Sequence, residues 1–143
     1  EIRLYAHMLN WEPDWAIVHR VYGNNPDTYS ILTPFAYTYL EELIRERTSE
    51  YGRVALDNDG NPITKRKVGL RLIKLAKQEN AENTEFLAAL ESVEKYFVPS
   101  QPQDSGDNRN SVLHGFMHPR YWTKESFEGL IEDIARLSRH AKF

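Results

Sequence analysis

Three observations predict an all-α fold, an antiparallel bundle of about five to six helices. Apolar residues recur at three- and four-residue spacing in several stretches, Thr, Asp or Asn stands where many of them begin, and Gly or Pro closes them after a few turns. The connections between them are short. A chain of 143 residues, 41% hydrophobic and 27% charged, is long enough to bury one core of its own, so residues 1–143 read as a single domain.

The elements follow in order. Residues 2–21 are rich in aromatic and apolar side chains and break at Pro13, which predicts two short helices, the second opening near Pro13 as a first-turn residue. Residues 23–27, with Gly23, Asn24, Asn25 and Pro26, read as a loop. Thr33-Pro34 has the form of an N-cap followed by Pro at the first helical position, and the helix it opens is predicted to run to Tyr51. Phe35, Tyr39, Leu40, Leu43 and Ile44 lie on its apolar face, and side chains of that bulk place it across the middle of the core.

Residues 52–62 are the main break. Asp57-Asn58-Asp59-Gly60-Asn61-Pro62 is a strong turn and fits the tip of a small hairpin over 53–63. Its acids do not make a calcium loop, because the template requires a further acid or amide before the Gly and a Glu six residues after it, where Arg66 stands. Thr64 is predicted to cap a helix to about Asn80, with Val68, Leu72, Leu75 and Ala76 inward and Lys67, Arg71 and Lys74 on another strip. A further helix over 84–97 buries Phe86, Leu87, Leu90, Val93 and Phe97 and stops before Pro99.

Residues 99–107, rich in Pro, Gln, Ser and Gly, form a loop. Asp107 or Asn108 then caps a short helix that ends near Met117 or His118, before Pro119. Thr123 caps the last helix, whose stripe is Phe127, Leu130, Ile131, Ile134 and Leu137, while Arg136, Arg139 and Lys142 suit its carboxyl end. The aromatics Trp11, Trp15, Phe35, Tyr37, Tyr39, Tyr96, Phe97 and Trp122 fit core filling better than a base-stacking platform.

Composition excludes several chemistries. With no cysteine, disulfides, zinc-thiolate sites and cysteine nucleophiles are all absent. There is no Gly-x-Ser-x-Gly elbow, no Ser-x-x-Lys motif and no Gly-rich phosphate loop. No apolar run approaches a bilayer span and the amino end lacks a signal-peptide pattern, which leads to the expectation of a cytoplasmic protein without a membrane partner. The chain opens on Glu1 rather than Met, as a trimmed or renumbered chain, or a piece of a longer one, would. A net charge of -3 argues against a generally basic nucleic-acid binder, so attraction to phosphate has to come from a local patch. Residues 65–77 supply one, with Lys65, Arg66, Lys67, Arg71, Lys74 and Lys77 and no acid among them. The acids gather instead in residues 82–94 and 125–133.

Most of the chemistry sits in the run Asn108-Arg109-Asn110-Ser111-Val112-Leu113-His114-Gly115. At about 100° per residue Asn110 and His114 share a helix face, and Arg109, roughly 140° from His114, reaches the same region through its long stem. An imidazole with an ordinary pKa near 6.5 can take the proton of a ribose 2′-hydroxyl at neutral pH, and a guanidinium can hold the phosphate oxygens as charge builds. With the 2′-hydroxyl as nucleophile, DNA is excluded as a substrate. No metal or other cofactor enters this scheme.

The same run resembles the signature of the HEPN superfamily, an Arg followed by four to six residues and a His, usually with a polar residue directly after the Arg. Arg109, Asn110 and His114 fill those places. The resemblance implies an all-α bundle that forms a homodimer, so that two motifs line one cleft. It also implies a metal-independent endoribonuclease of bacterial defence or toxin-antitoxin systems, with an antitoxin or other regulatory protein as a further partner. Arg109, Asn110 and His114 would be its catalytic residues, and Lys67, Arg71 and Lys74 are the candidates for holding the RNA. In the branch silenced by nucleotidyl transfer a Tyr stands two residues after the motif His. Phe116 occupies that place and has no hydroxyl to modify, which argues against a nucleotidyltransferase antitoxin.

Simpler readings stand beside each of these. Lys67, Arg71 and Lys74 also fit a solvated helix face, and His114 alone fits a core histidine satisfied by a carbonyl. His114 and His118 have the spacing of two metal ligands, but Gly115, Phe116 and Met117 between them lack the Glu of the zincin pattern. No Glu-x-x-His pair exists for a di-iron site either. A non-catalytic bundle that dimerises, or binds a nucleotide or a protein through the Arg109 cleft, is the alternative of a different class.

Overall fold

Pro13 has its φ near the helical value and no N–H to satisfy, and it sits in the first turn of a helix, as that chemistry favours. The computed structural model describes residues 1–6, 10–51, 58–61, 66–98 and 122–141. Helix α1 spans Ile2–Ala6 and helix α2 spans Glu12–Asn24. Between them Asn10 adopts a left-handed φ of 65°, and the Trp11 N–H donates to the Ala6 carbonyl at 2.9 Å.

Helix α2 runs on through Gly23, where a loop was expected, and the true corner is one residue long. There the Asn25 side chain accepts from the Asp27 N–H at 3.1 Å and starts a single 3-10 turn, Pro26–Thr28. Helix α3, Tyr29–Glu46, begins at once. Thr33 is therefore not an N-cap. It lies buried inside the helix, its hydroxyl donating to the Tyr29 carbonyl at 2.7 Å, and Pro34 is an interior proline. The extra turn buries Ser30 and Thr33 and packs Tyr29 and Leu32 on the core, which offsets the hydrogen bond that Pro34 cannot make.

The far end of α3 stops five residues before Tyr51. Arg47 leaves helical geometry, the Thr48 hydroxyl donates to the Arg45 carbonyl at 2.8 Å, and the N–H and hydroxyl of Ser49 both donate to Glu79 at 2.6 Å. Tertiary capture by the following helix thus sets that boundary. Residues 58–61 form the expected turn, with Gly60 at φ 79°, and no strand occurs among the described residues; the rest of the hairpin expected over 53–63 lies outside them.

Helix α4 spans Leu70–Glu79 and starts later than a Thr64 cap implies. Thr64 is outside the described residues, but 66–68 are not helical, and Gly69 at φ 59° and ψ -137° breaks the run. Val68, expected inward, is 53% exposed as a result, while Leu72 and Ala76 are buried and Leu75 half-buried. Helix α5, Thr84–Glu94, is capped by Asn83, which accepts from the Phe86 N–H at 3.0 Å, and ends in a 3-10 turn, Lys95–Phe97. Helix α6, Lys124–Ser138, is capped by Thr123 as expected, its hydroxyl accepting from the Ser126 N–H at 3.0 Å.

The architecture is an all-α helical bundle, and the helix expected to cross the core does so: Tyr37, Tyr39, Leu40, Leu43 and Ile44 of α3 are each no more than 1% exposed. The short corner folds α3 back along α2, so Trp15 meets Phe35 and Tyr39 edge-on at 5.2 and 5.1 Å. Phe86 meets His140 while Tyr96 meets Asp133, so α5 and α6 run antiparallel. The expected stripes of α5 and α6 are buried, except that Leu87 and Ile131 are half-covered. Arg45 ties the chain ahead of α4 to α3, donating to Glu41 at 2.9 Å and to the Lys67 carbonyl at 3.0 Å. Among the described residues no helix is long and apolar enough to cross a membrane.

Candidate functional site

Arg109, Asn110 and His114 lie outside the described residues, as do Phe116, His118 and Tyr121. The structure describes both ends of the segment that carries them. Val98 precedes it and Trp122 follows it, and the two ends meet on one side chain. Tyr37, fully buried on α3, packs edge-on against Tyr96 at 5.8 Å and against Trp122 at 5.4 Å. Trp122 is 1% exposed and Tyr96 2%. The residues flanking the segment are therefore held at a single aromatic cluster, because large rings packed this way leave little room for displacement.

A charged group adjoins that cluster. The Tyr96 hydroxyl donates to Asp133 Oδ2 at 2.6 Å, Lys95 Nζ lies 3.4 Å from the same oxygen, and Arg136 donates to Oδ1 at 2.8 Å. The Lys95 ammonium also stands 5.0 Å from the centre of the Tyr96 ring. Asp133 is nearly buried, and the three donors satisfy both of its oxygens. The sequence marks Arg136 only as a complement to the α6 dipole and Asp133 only as one of many acids. No local spacing reveals that they meet Lys95, since the contact is made by the packing of α5 on α6.

The basic strip expected over α4 is only partly assembled. Arg71 and Lys74 are exposed on α4 and have no ion-pair partner among the described residues. Lys67 precedes the helix because Gly69 breaks it, and Glu50 holds it twice, through its N–H at 3.0 Å and its Nζ at 3.3 Å. Lys67 is thus not on the strip. Lys77, one turn past Lys74, reaches across to Glu94 at 2.6 Å.

A groove of about 840 Å³ opens elsewhere, between α1, α2 and α6. Its floor is apolar, with Ile2, Trp15, Val18, Phe127, Ile131 and Ala135, and its polar margin is acidic, with Glu1, Glu12, Glu128 and Glu132 against Arg3 and His19. Arg3 is held by Glu12 at 2.6 Å, and Arg139 donates to Glu1, which keeps the Glu1 carboxyl below its ordinary range. The Tyr22 hydroxyl donates to Glu128 at 2.6 Å, keeping that carboxyl low, while burial and then the carboxylate push the Tyr22 phenol up. A polyanion would be repelled from this margin. Among the described residues no group of His, Asp and Glu could hold a metal ion.

No family model, curated protein or solved structure matches the chain. Its functional reading rests on its own residues.

Proposed function

We propose that this chain is a metal-independent endoribonuclease of a HEPN-like defence or toxin system, acting in the cytoplasm on RNA as a homodimer and restrained by an antitoxin or other regulatory protein. The observation that carries the reading is the run from Arg109 through Asn110 to His114, on a segment whose two ends are fixed on the Tyr37 cluster of an all-α bundle. An imidazole, an amide and a guanidinium within six residues, paired with a second copy of the same set, supply the groups for cleavage that needs no metal.

In the reaction, His114 takes the proton of a ribose 2′-hydroxyl as the 2′-oxygen attacks the adjacent phosphorus. Arg109 side chains stabilise the dianionic phosphorane, and Asn110 orients the imidazole. The bond from phosphorus to the 5′-oxygen then breaks, and the protonated His114 of the second subunit gives that oxygen its proton. The products carry a 2′,3′-cyclic phosphate and a 5′-hydroxyl. One motif alone holds one imidazole, so the base and the acid come from different subunits.

The test is cleavage of a total or transfer-RNA pool in EDTA, with end-group analysis, beside His114→Ala and Arg109→Ala. We expect cyclic-phosphate ends from the wild type and a rate lower by about 10²-fold or more in either variant. No cleavage between pH 6 and 8, or equal cleavage by all three proteins, would overturn the reading. The non-catalytic alternative, a dimerisation, nucleotide-binding or protein-interaction domain, would then stand, favoured by the apolar groove between α1, α2 and α6.

A further inference from the structure

The cations of α4, the end of α5 and α6 form a band linked through two carboxylates. Arg71, Lys74 and Lys77 follow one another at three-residue intervals along a slowly turning strip of α4. Lys77 meets Glu94 at 2.6 Å; the next residue, Lys95, meets Asp133 at 3.4 Å, and Arg136 holds the other oxygen of Asp133 at 2.8 Å. Along this path three cations share two carboxylates, and Arg71 and Lys74 have no ion-pair partner among the described residues. Glu91 and Glu132 stand one turn from Lys95 and Arg136 without an ion pair to them among the described residues, and even with both counted the band stays positive. The chain as a whole is negative, so this concentration runs against its average.

The heads of the cations are accessible, with the Lys95 and Arg136 side chains 59% and 52% exposed. They are also held in place. Asp133 is anchored by the Tyr96 hydroxyl and in turn orients both cations, which lowers the rotamer entropy lost when a phosphate docks. The band ends beside Tyr96, which packs on Tyr37 as Trp122 does, and in the chain the segment bearing Arg109 and His114 lies between Tyr96 and Trp122.

We propose that Arg71, Lys74, Lys77, Lys95 and Arg136 form a track for the phosphate backbone of RNA on its way to the motif. The identity of the polyanion rests on the ribonuclease reading. Lys67, engaged by Glu50, is not part of the track.

The probe is a short single-stranded 2′-O-methyl oligoribonucleotide, which has no free 2′-hydroxyl and cannot be cut by this chemistry, so binding is read apart from cleavage. Fluorescence anisotropy over a series of KCl concentrations compares the wild type with Lys95→Gln/Arg136→Gln and Arg71→Gln/Lys74→Gln. Arg3→Gln/Arg20→Gln removes the same charge off the band. Each band variant should bind more weakly and lower the slope of log K against log salt by about 1.4, the release expected for two lost phosphate contacts on a single strand. The control should keep the wild-type slope. Arg71 and Lys74 lack ion-pair partners among the described residues, so that variant keeps the test valid even if the loss of the Asp133 pairs unfolds the other. Wild-type protein that does not bind, or band variants with the slope of the control, would overturn the track. Cleavage of ordinary RNA with unchanged slopes would sink the track and leave the ribonuclease standing. Band-dependent binding without cleavage would do the reverse.

Discussion

Tyr39 lies fully buried on α3, against Trp11 and Trp15, and removal from water pushes its phenol up to about 12; Ser138 works against that rise and Glu46 adds to it. Because the folded pKa exceeds the ordinary value near 10, the folded state holds this proton more tightly than the unfolded chain does. The resulting stabilisation is complete below about pH 10 and is lost as pH rises toward about 12. Urea unfolding of the wild type and Tyr39→Phe at pH 9 and pH 11 should therefore show the wild type losing ground to the variant at the higher pH. An unchanged difference between their midpoints would count against it. Asp133 is the other residue whose surroundings decide its role. It sits in one of the two acidic stretches of the sequence, yet it is nearly buried and gathers Tyr96, Lys95 and Arg136.

The elements were legible where local chemistry is decisive. Thr123 caps α6 because a Thr hydroxyl can accept from the N–H three residues on, and Pro13 opens α2 because it needs no hydrogen bond there. Boundaries set by something distant were not legible. Thr33-Pro34 has the form of a helix start, but Asn25 and Pro26 supply an earlier one whose extra turn is buried. Gly69 matters most for the candidate site, because it separates Lys67 from Arg71 and Lys74. At φ 59° and ψ -137° only glycine is comfortable, and a Cβ there would meet no atom within 4 Å, so the cost of a side chain is conformational alone. Gly69→Ala should destabilise the protein by about 1–3 kcal/mol in urea denaturation. Unaltered stability would show that α4 can start upstream without that turn.

At the scale of the molecule the proposed chemistry depends on two chains. If base and acid come from different subunits, wild-type protein unfolded and refolded together with an excess of His114→Ala should cleave less RNA per wild-type subunit than wild type refolded alone. The mixed dimer keeps both guanidinium groups but one imidazole, so it lacks either the base or the acid. Unchanged cleavage per wild-type subunit would argue that each motif acts alone. The acidic margin of the α1–α2–α6 groove and the cationic band from α4 to α6 give the molecule surfaces of opposite sign, so a negative net charge is compatible with the proposed attraction of a polyanion to the band.

By itself the sequence determined the all-α class, most of the core residues and the chemical content of the Arg109–His114 run. Apolar spacing, caps and residue chemistry act over one or two turns and can be read along the chain. Only the tertiary structure decided where α3 and α4 begin and end, that Lys67 is tied to Glu50, and that Tyr37 joins the two ends of the motif segment. It alone brought Lys95 and Arg136 to one carboxylate. Those outcomes depend on contacts between residues far apart in the chain, whose energies come from burial and pairing that no local spacing encodes.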